Sequence, residues 1–312
     1  MADPKIAPHA YFREAFVPFA DAKLSIASAP VLYGLSIYTV IPVFWNKTEQ
    51  RHYIFRLPDH FKRLQNSAKI MAFDDFLQGW NQSKFDGIVK QLIHINKLEQ
   101  DCLVRISVFV DDLLQGTRMR GLKHSLSAFV YPASSLLPKE GARLCISSWR
   151  RTPDNAIPSR AKINGSYANA GLMKHEALEN GFDDAIALDE QGHVTESTVA
   201  NIFLVKNGLL ITPSDSSDLL EGITRDTVFG LAELLGIPYA QRAVDRSELY
   251  VADEIFLSGS SMNIAPVIEV DHRTIGSGKP GALTRQLLKE YDRCVRHQVG
   301  AYAEWSTPVT VL

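Results

Sequence analysis

Cysteine is scarce in this 312-residue chain: Cys102, Cys145 and Cys294 are odd in number and far apart. That argues against a disulfide framework and a cysteine metal clip, and suits a reduced, intracellular compartment. Charge of one sign is not in excess either. The 33 Lys+Arg stand against 35 Asp+Glu, a formal net charge of −2, and the basic residues are scattered. With no basic field to hold a polyanion, nucleic-acid binding is excluded as the main activity. The nine histidines form no HExxH and no pairing with cysteine at ligand spacing, so no dedicated metal site is expected. There is no GxSxG elbow for an acyl-transfer serine. Near the C-terminus IGSGKPG lacks the first glycine of a phosphate loop and carries Pro280 where Ser or Thr would bind magnesium. One long uncharged run exists, Leu24 to Asn46, but Pro30, Gly34 and Pro42 interrupt it, which points to a turn and a buried strand rather than a membrane span. The opening MADPKIAPHAYF has neither the cationic start nor the apolar block of a secretion signal, so a soluble, cytoplasmic protein is expected.

What is present is 46% apolar side chains, enough for a core in each of two domains at this length. No tandem repeat appears. LSIYTVIPVF at 35–44 reads as a strand, and Leu57-Pro58-Asp59 opens a helix in which Phe61, Leu64, Ala68 and Met71 recur at helical spacing. A second amphipathic helix fits 84–98, and LVRISVFV at 103–110 alternates like a half-buried strand. YPASSLLPKEGA at 131–142 concentrates Pro, Gly and Ser, and divides a domain at 1–130 from one at 143–312. The second domain reads as a strand at 143–149, a helix near 168–180 stopped by Gly181, and a strand at 184–189. A hairpin follows through Asn207-Gly208, then helices from Thr224 to Gly236 and over 281–296. Hairpins outnumber strand-helix-strand units, so an α+β architecture is preferred to a doubly wound parallel sheet.

Several small polar elements could together suit a phosphorylated aromatic cation. Lys162 lies in SRAKINGSY, where a small-residue loop lets a ligand approach an amine; an ordinary surface lysine reads the same way. Glu196 follows a strand in GHVTESTVANIF, as an inward acid in need of a cation or as a turn carboxylate facing water. Gly222-Ile223-Thr224-Arg225-Asp226 starts a helix whose N–H groups offer an anion seat, though capping alone explains these residues. The turn Ser258-Gly259-Ser260-Ser261 is a second candidate nest. Arg56 follows the strand-like YIF and Arg105 interrupts an alternating strand, each a carboxylate or phosphate binder or a rim ion pair.

In order, YIFRLPDHFKRLQNSAKIM, SSWRRTPDNAIPSRAKINGSY, GFDDAIALDEQGHVTESTVANIF, LEGITRDTVFGLAELLGI and ELYVADEIFLSGSSMNIAPV resemble the branched-chain amino acid aminotransferases of the class IV family, which use pyridoxal phosphate (PLP). The resemblance runs from about Ala29 to Glu290. It implies the two-domain fold type IV, a small N-terminal α/β domain and a larger one around a β-barrel-like core, with 131–142 as the interdomain loop. It also implies a site between the domains and a homodimer or higher homo-oligomer. Lys162 then matches the lysine that holds PLP as an aldimine and shuttles the proton. Glu196 matches the acid on the pyridine nitrogen, and Tyr167 the tyrosine beside the ring hydroxyl. Arg56, Ile223, Thr224 and Ser260 match the phosphate contacts. Tyr33 and Arg105 match residues that recognise an acidic side chain, Tyr38 lines the pocket, and Ser260 and Ser261 fill the turn that receives the α-carboxylate, where Thr-Ala is usual. The implied reaction moves an amino group from a branched-chain L-amino acid to 2-oxoglutarate by a ping-pong mechanism. Tyr38-Thr39-Val40 departs from the usual Phe-Glu-Gly, Pro42 replaces a basic residue, and Leu103 stands where a tyrosine is common. The Tyr-x-Val pattern is closer to D-amino acid aminotransferases and R-selective amine transaminases of the same class, with Arg118 and Arg120 as an alternative carboxylate clamp. An aminodeoxychorismate lyase and a noncatalytic binding protein on the same scaffold complete the readings.

Overall fold

The computed structural model describes residues 5–310 and separates into two compact units. The first comprises the chain up to Ala133, the short segment Ala161–Gly165, and the residues from Arg293 onward. Its elements are β1 (His9–Phe12), β2 (Ala15–Pro18), α1 (Ala29–Tyr33), β3 (Ser36–Asn46), β4 (Arg51–Phe55), α2 (Leu57–Ile70), α3 (Asp74–Gly79), α4 (Gln82–Asn96), β5 (Cys102–Val110) and β6 (His124–Pro132). A seven-stranded sheet runs in the order Ser306–Pro308, β4, β3, β5, β6, β1, β2, with every pairing antiparallel. The N-terminal hairpin β1–β2, short and little marked in the sequence, is an addition to the expected elements.

The uncharged run from Leu24 resolves into a short helix, where a turn is expected, followed by the expected buried strand. Pro30 sits in the first turn of α1, and Gly34 ends it in the left-handed region at φ 68°. The first nine residues of β3 are buried, which is why it reads as a continuous apolar run. Thr39 of β3 faces α2, where its hydroxyl meets His60 Nδ1 at 2.7 Å. Strand alternation therefore aims Tyr38 and Val40 at the opposite face, together with Arg105, which pairs with Val40 across β5. Phe55, Phe73, Phe76 and Phe85 are fully buried in this unit, each contributing about 1.5–3 kcal/mol of burial.

The second unit comprises Ser134–Arg160 and Ser166–Asp292. Its elements are β7 (Ala142–Arg150), α5 (Tyr167–Glu179), β8 (Asp184–Leu188), β9 (Val194–Ser197), β10 (Asn201–Lys206), β11 (Leu209–Thr212), α6 (Ile223–Leu234), β12 (Tyr239–Gln241), α7 (Arg246–Tyr250), β13 (Glu254–Gly259) and β14 (Asn263–Val270). Pairing runs β10, β13, β14, β7, β8, β9 and returns to β10, so six strands close a ring. This is the barrel-like core expected within an α+β fold. Leu144, Ile186, Leu188, Ile202, Leu204 and Leu257 belong to its buried cluster. The hairpin β10–β11 turns through Asn207 and Gly208 at φ 50° and 78°, the positive values a two-residue type I′ turn requires.

Against the expected boundaries of 1–130, 131–142 and 143–312, the compact units differ at two places. Ala161–Gly165 clusters with the first unit because Ile163 bridges Ile37 of β3 and the Tyr38 N–H donates to the Lys162 carbonyl at 2.9 Å. The C-terminal residues join it because Ser306–Pro308 pairs with β4. All three cysteines are unpaired and buried. Among the described residues no helix is long and apolar enough to cross a membrane.

Candidate active site

Two groups of side chains, one in each unit, contain the residues singled out in the sequence. In the first unit the segment Ala161–Gly165 is tied down along its length. The Lys162 N–H donates to Ser67 Oγ of α2 at 3.1 Å, its carbonyl accepts from Tyr38, and Asn164 Nδ2 donates to Ser36 Oγ at 2.8 Å. Gly34 and Gly165 meet backbone to backbone; a Cβ on Gly34 would lie 2.7 Å from Gly165 Cα. This contact puts Tyr33, half exposed at the end of α1, next to the same segment.

Lys162 Nζ lies 5.0 Å from the centre of the Tyr38 ring, and the Arg105 guanidinium 4.0 Å from the same ring. Both are cations over an aromatic face, an attraction worth about 0.5–2 kcal/mol each. Arg105 also donates to Asn164 Oδ1 at 2.7 Å. It is half-buried, and no carboxylate among the described residues pairs with it. Tyr131 of β6, which pairs with Leu103, stands on the same sheet face as Arg105. Thus Lys162, Tyr38 and Arg105 lie close together, and Asn164 and Tyr131 join them. Tyr131 stands directly across from Leu103 on the same sheet face, beside the position where Leu103 replaces a common tyrosine, a cross-strand relation that a single sequence does not display.

Arg56 is the left-handed residue that links β4 to α2, at φ 54°. It is 6% exposed, donates to Asp59 at 2.5 Å, and lays its guanidinium 4.8 Å from the Trp305 ring. Burial pushes the His60 imidazole well below its ordinary pKa, and the charges of Arg63, Arg56 and Lys162 push it in the same direction. His60 is therefore neutral amid a positive first unit. Arg118 is exposed, and Arg120 is engaged in a surface ion pair with Asp74 at 3.1 Å.

In the second unit a β-bulge sets Glu196. Leu188 pairs with Val194 and Ile186 with Ser197, which leaves one extra residue on β9. Val194 faces the barrel core, and the bulge re-aims Glu196 to stand beside Asn201, its direct partner on β10. Asn201 in turn pairs with Ser258 on β13, so the three side chains form a row across three strands. Glu196 is 5% exposed; its carboxylate accepts from Arg151 at 2.8 Å, Asn201 Nδ2 at 3.1 Å and the Leu220 N–H at 3.3 Å. Arg151 is the fixed positive partner that a buried acid requires. Sequence reading required such a cation without locating it, since Arg151 precedes Glu196 by more than forty residues.

The row continues to the start of α6. A Cβ on Gly222 would lie 2.0 Å from Asn201 Oδ1, so only glycine lets the chain pass there into Ile223 and Thr224. Those two residues present the first N–H groups of a twelve-residue helix, where the dipole favours an anion. Arg225 is occupied elsewhere, with Asp215 at 2.6 Å and the Pro213 carbonyl at 2.8 Å. The turn holding Ser260 and Ser261 leaves β13 beside Ala200. Ser258 Oγ is buried with no hydrogen-bond partner, an orphaned donor at the end of the row. Tyr167 begins α5 and packs against the buried cluster to which Cys145, Met173 and Ala185 belong. Among the described residues no group of three His, Cys, Asp or Glu is placed to hold a metal ion.

Chemically, the first group offers an amine, and a guanidinium that no carboxylate among the described residues pairs with. The second offers a buried carboxylate and the N–H groups of a helix start. The profile of the family Amino-transferase class IV matches residues 36–270. A probable branched-chain-amino-acid aminotransferase of Aquifex aeolicus is 37% identical over 96% of this chain and 96% of its own. A branched-chain aminotransferase from Thermoproteus uzoniensis, solved with norvaline, superposes with a TM-score of 0.93 at 33% identity over 97% of this chain and 100% of its own. The branched-chain amino acid aminotransferase from Thermobaculum terrenum, solved in its PLP form, gives 0.89 at 31% identity over 98% and 100%. The chain belongs to the class IV aminotransferases, enzymes that transfer amino groups with the help of pyridoxal phosphate.

Proposed function

We propose that this enzyme moves the amino group of a branched-chain L-amino acid to 2-oxoglutarate in two half-reactions of a ping-pong cycle. The donor set fits PLP: Lys162 for its aldehyde, Glu196 for its ring nitrogen, and Tyr167 for its ring hydroxyl. Arg56, the N–H groups of Ile223 and Thr224, and Ser260 suit its phosphate. The orphaned Ser258 hydroxyl and the Gly222 cradle beside Asn201 agree with a polar group seated at that end of the row. When bound, PLP supplies an electron sink for the pair released at the substrate α-carbon.

The protein's own part is positioning and proton movement. Lys162 Nζ takes the proton from the α-carbon of the donor and, in the second half-reaction, places one on the α-carbon of the amino acid formed. Glu196, anchored by Arg151, keeps a negative charge opposite the ring nitrogen. Ser260 and Ser261 receive the α-carboxylate, and Arg105, with Tyr33, takes the second carboxylate of the acidic co-substrate. The observation that carries this reading is the juxtaposition of an amine and an acid-free guanidinium on the single ring of Tyr38.

A second reading, a D-amino acid or R-amine transaminase, draws on Val40, whose side chain stands beside Arg105 on the same sheet face and adds methyl groups to that wall. Separate assays with L-leucine, D-alanine and R-phenylethylamine distinguish the two; L-leucine as the poorest donor rejects the first. Borohydride reduction and peptide mapping are expected to place the pyridoxyl label on Lys162. Lys162→Ala should lower turnover by about a thousandfold or more, and a variant that transaminates normally would overturn the assignment.

We also propose a homodimer. Ile26, Val31, Leu32, Leu113 and Leu114 are exposed on adjoining segments joined by the Ser28–Leu113 bridge, an apolar surface suited to a second copy. Sedimentation at the monomer mass would reject it.

A further inference from the structure

We propose that Asn164 is a positioning residue that sets the enzyme's preference for acidic over apolar substrates, by holding Arg105 with a neutral acceptor. The inference rests on the reading that Arg105 meets the second carboxylate of the acidic co-substrate.

The hydrogen bonds fix the amide without ambiguity. A guanidinium only donates, so the atom that accepts from Arg105 at 2.7 Å is the Asn164 carbonyl oxygen, which leaves Nδ2 to donate to Ser36 Oγ at 2.8 Å. Arg105 is thus gripped at an edge by Asn164 and on a face by Tyr38, 4.0 Å away. A half-buried guanidinium ordinarily acquires an acidic partner, which compensates its desolvation and cancels its charge. None of the described residues plays that part. Asn164 supplies the geometry of such a partner without the charge. The guanidinium is held in place, and its full charge stays available to a carboxylate that arrives from outside.

Position also matters. Asn164 lies two residues beyond Lys162 on a segment fastened to β3 and α2. One short strap therefore fixes both the amine and the cation. An apolar substrate has no use for the charge, so it depends little on Asn164; an acidic one depends on it directly.

Asn164→Asp is the sharpest test, because it keeps the shape and adds the cancelling charge. Half-reactions of the PLP-loaded enzyme are followed with L-glutamate and L-leucine as separate donors. Calorimetric titrations with glutarate and with 4-methylpentanoate measure binding without turnover. For Asn164→Asp the KM for L-glutamate and the Kd for glutarate should rise about tenfold or more, with the leucine and 4-methylpentanoate values moving far less. Ser36→Ala, which loosens the amide and leaves its charge alone, should shift the same ratio in the same direction by a smaller factor. If both variants impair acidic and apolar ligands in equal proportion, Asn164 is merely structural and the proposal falls while the transaminase reading stands. If the unmodified enzyme transaminates L-leucine but shows no reaction with L-glutamate and no affinity for glutarate, the Arg105 reading and this inference fall together.

Discussion

Arg151 and Glu196 form an ion pair with side chains only 13% and 7% exposed. Removing one member of such a pair leaves the other buried and uncompensated, which is far worse than never having had the pair. Arg151→Gln is therefore expected to lose about 3 kcal/mol of stability and to weaken PLP retention, read by denaturant titration and by dialysis of the coloured protein. Arg151→Lys should recover part of both. Equal stability for all three proteins would show that Glu196 does not depend on this cation. At this scale residue type and local setting single out Lys162 and Arg105 as candidates, and Tyr38 is reached only through the family resemblance. The sequence was silent on Arg151, Asn201, Asn164 and Tyr131. Each of these matters because of a partner brought near by pairing of distant strands, and no local pattern encodes that.

Among elements, the strands and helices with a continuous periodic signal were expected nearly where they lie. Expected 35–44 became Ser36–Asn46, and 84–98 became Gln82–Asn96. Devices one or two residues long leave no mark in that signal: the bulge on β9 that turns Glu196 away from the barrel core, and the Gly34–Gly165 contact that seats the Lys162 segment. Neither breaks the hydrophobic rhythm, so periodicity does not register them. Gly34 is constrained twice, by φ 68° and by the lack of room for a Cβ. Gly34→Ala should lower the stability of the first unit by about 1–3 kcal/mol and reduce turnover through displacement of Lys162. Its unfolding midpoint and kcat are the checks, and an unchanged kcat would show that the segment absorbs the methyl without moving the amine.

For the molecule as a whole, the α+β class and the barrel-like core were within reach of the sequence, whereas the discontinuous makeup of the units was not. That makeup depends on which distant segment returns to which sheet. Acid sensitivity is also a property of the ensemble of buried groups. His52, His60 and His124 all have pKa values lowered, chiefly by burial. Unfolding releases these rings to take up protons at their ordinary value near 6.5, so below that pH the unfolded chain binds more protons and stability falls as pH falls. The effect should appear between about pH 6.5 and 5, above the range where carboxylates ordinarily titrate. Thermal unfolding is expected to show a steeper loss over this interval for the native sequence than for His60→Gln; identical slopes would remove His60 from the account.

The C-terminal strand Ser306–Pro308 pairs with β4, and the Trp305 carbonyl accepts from the Arg56 N–H at 2.6 Å. The sheet of the first unit is thus complete only once a segment more than two hundred residues beyond β4 has joined it. A nascent chain halted before Trp305 exposes an unzipped edge at β4 and is the form that quality control should recognise first.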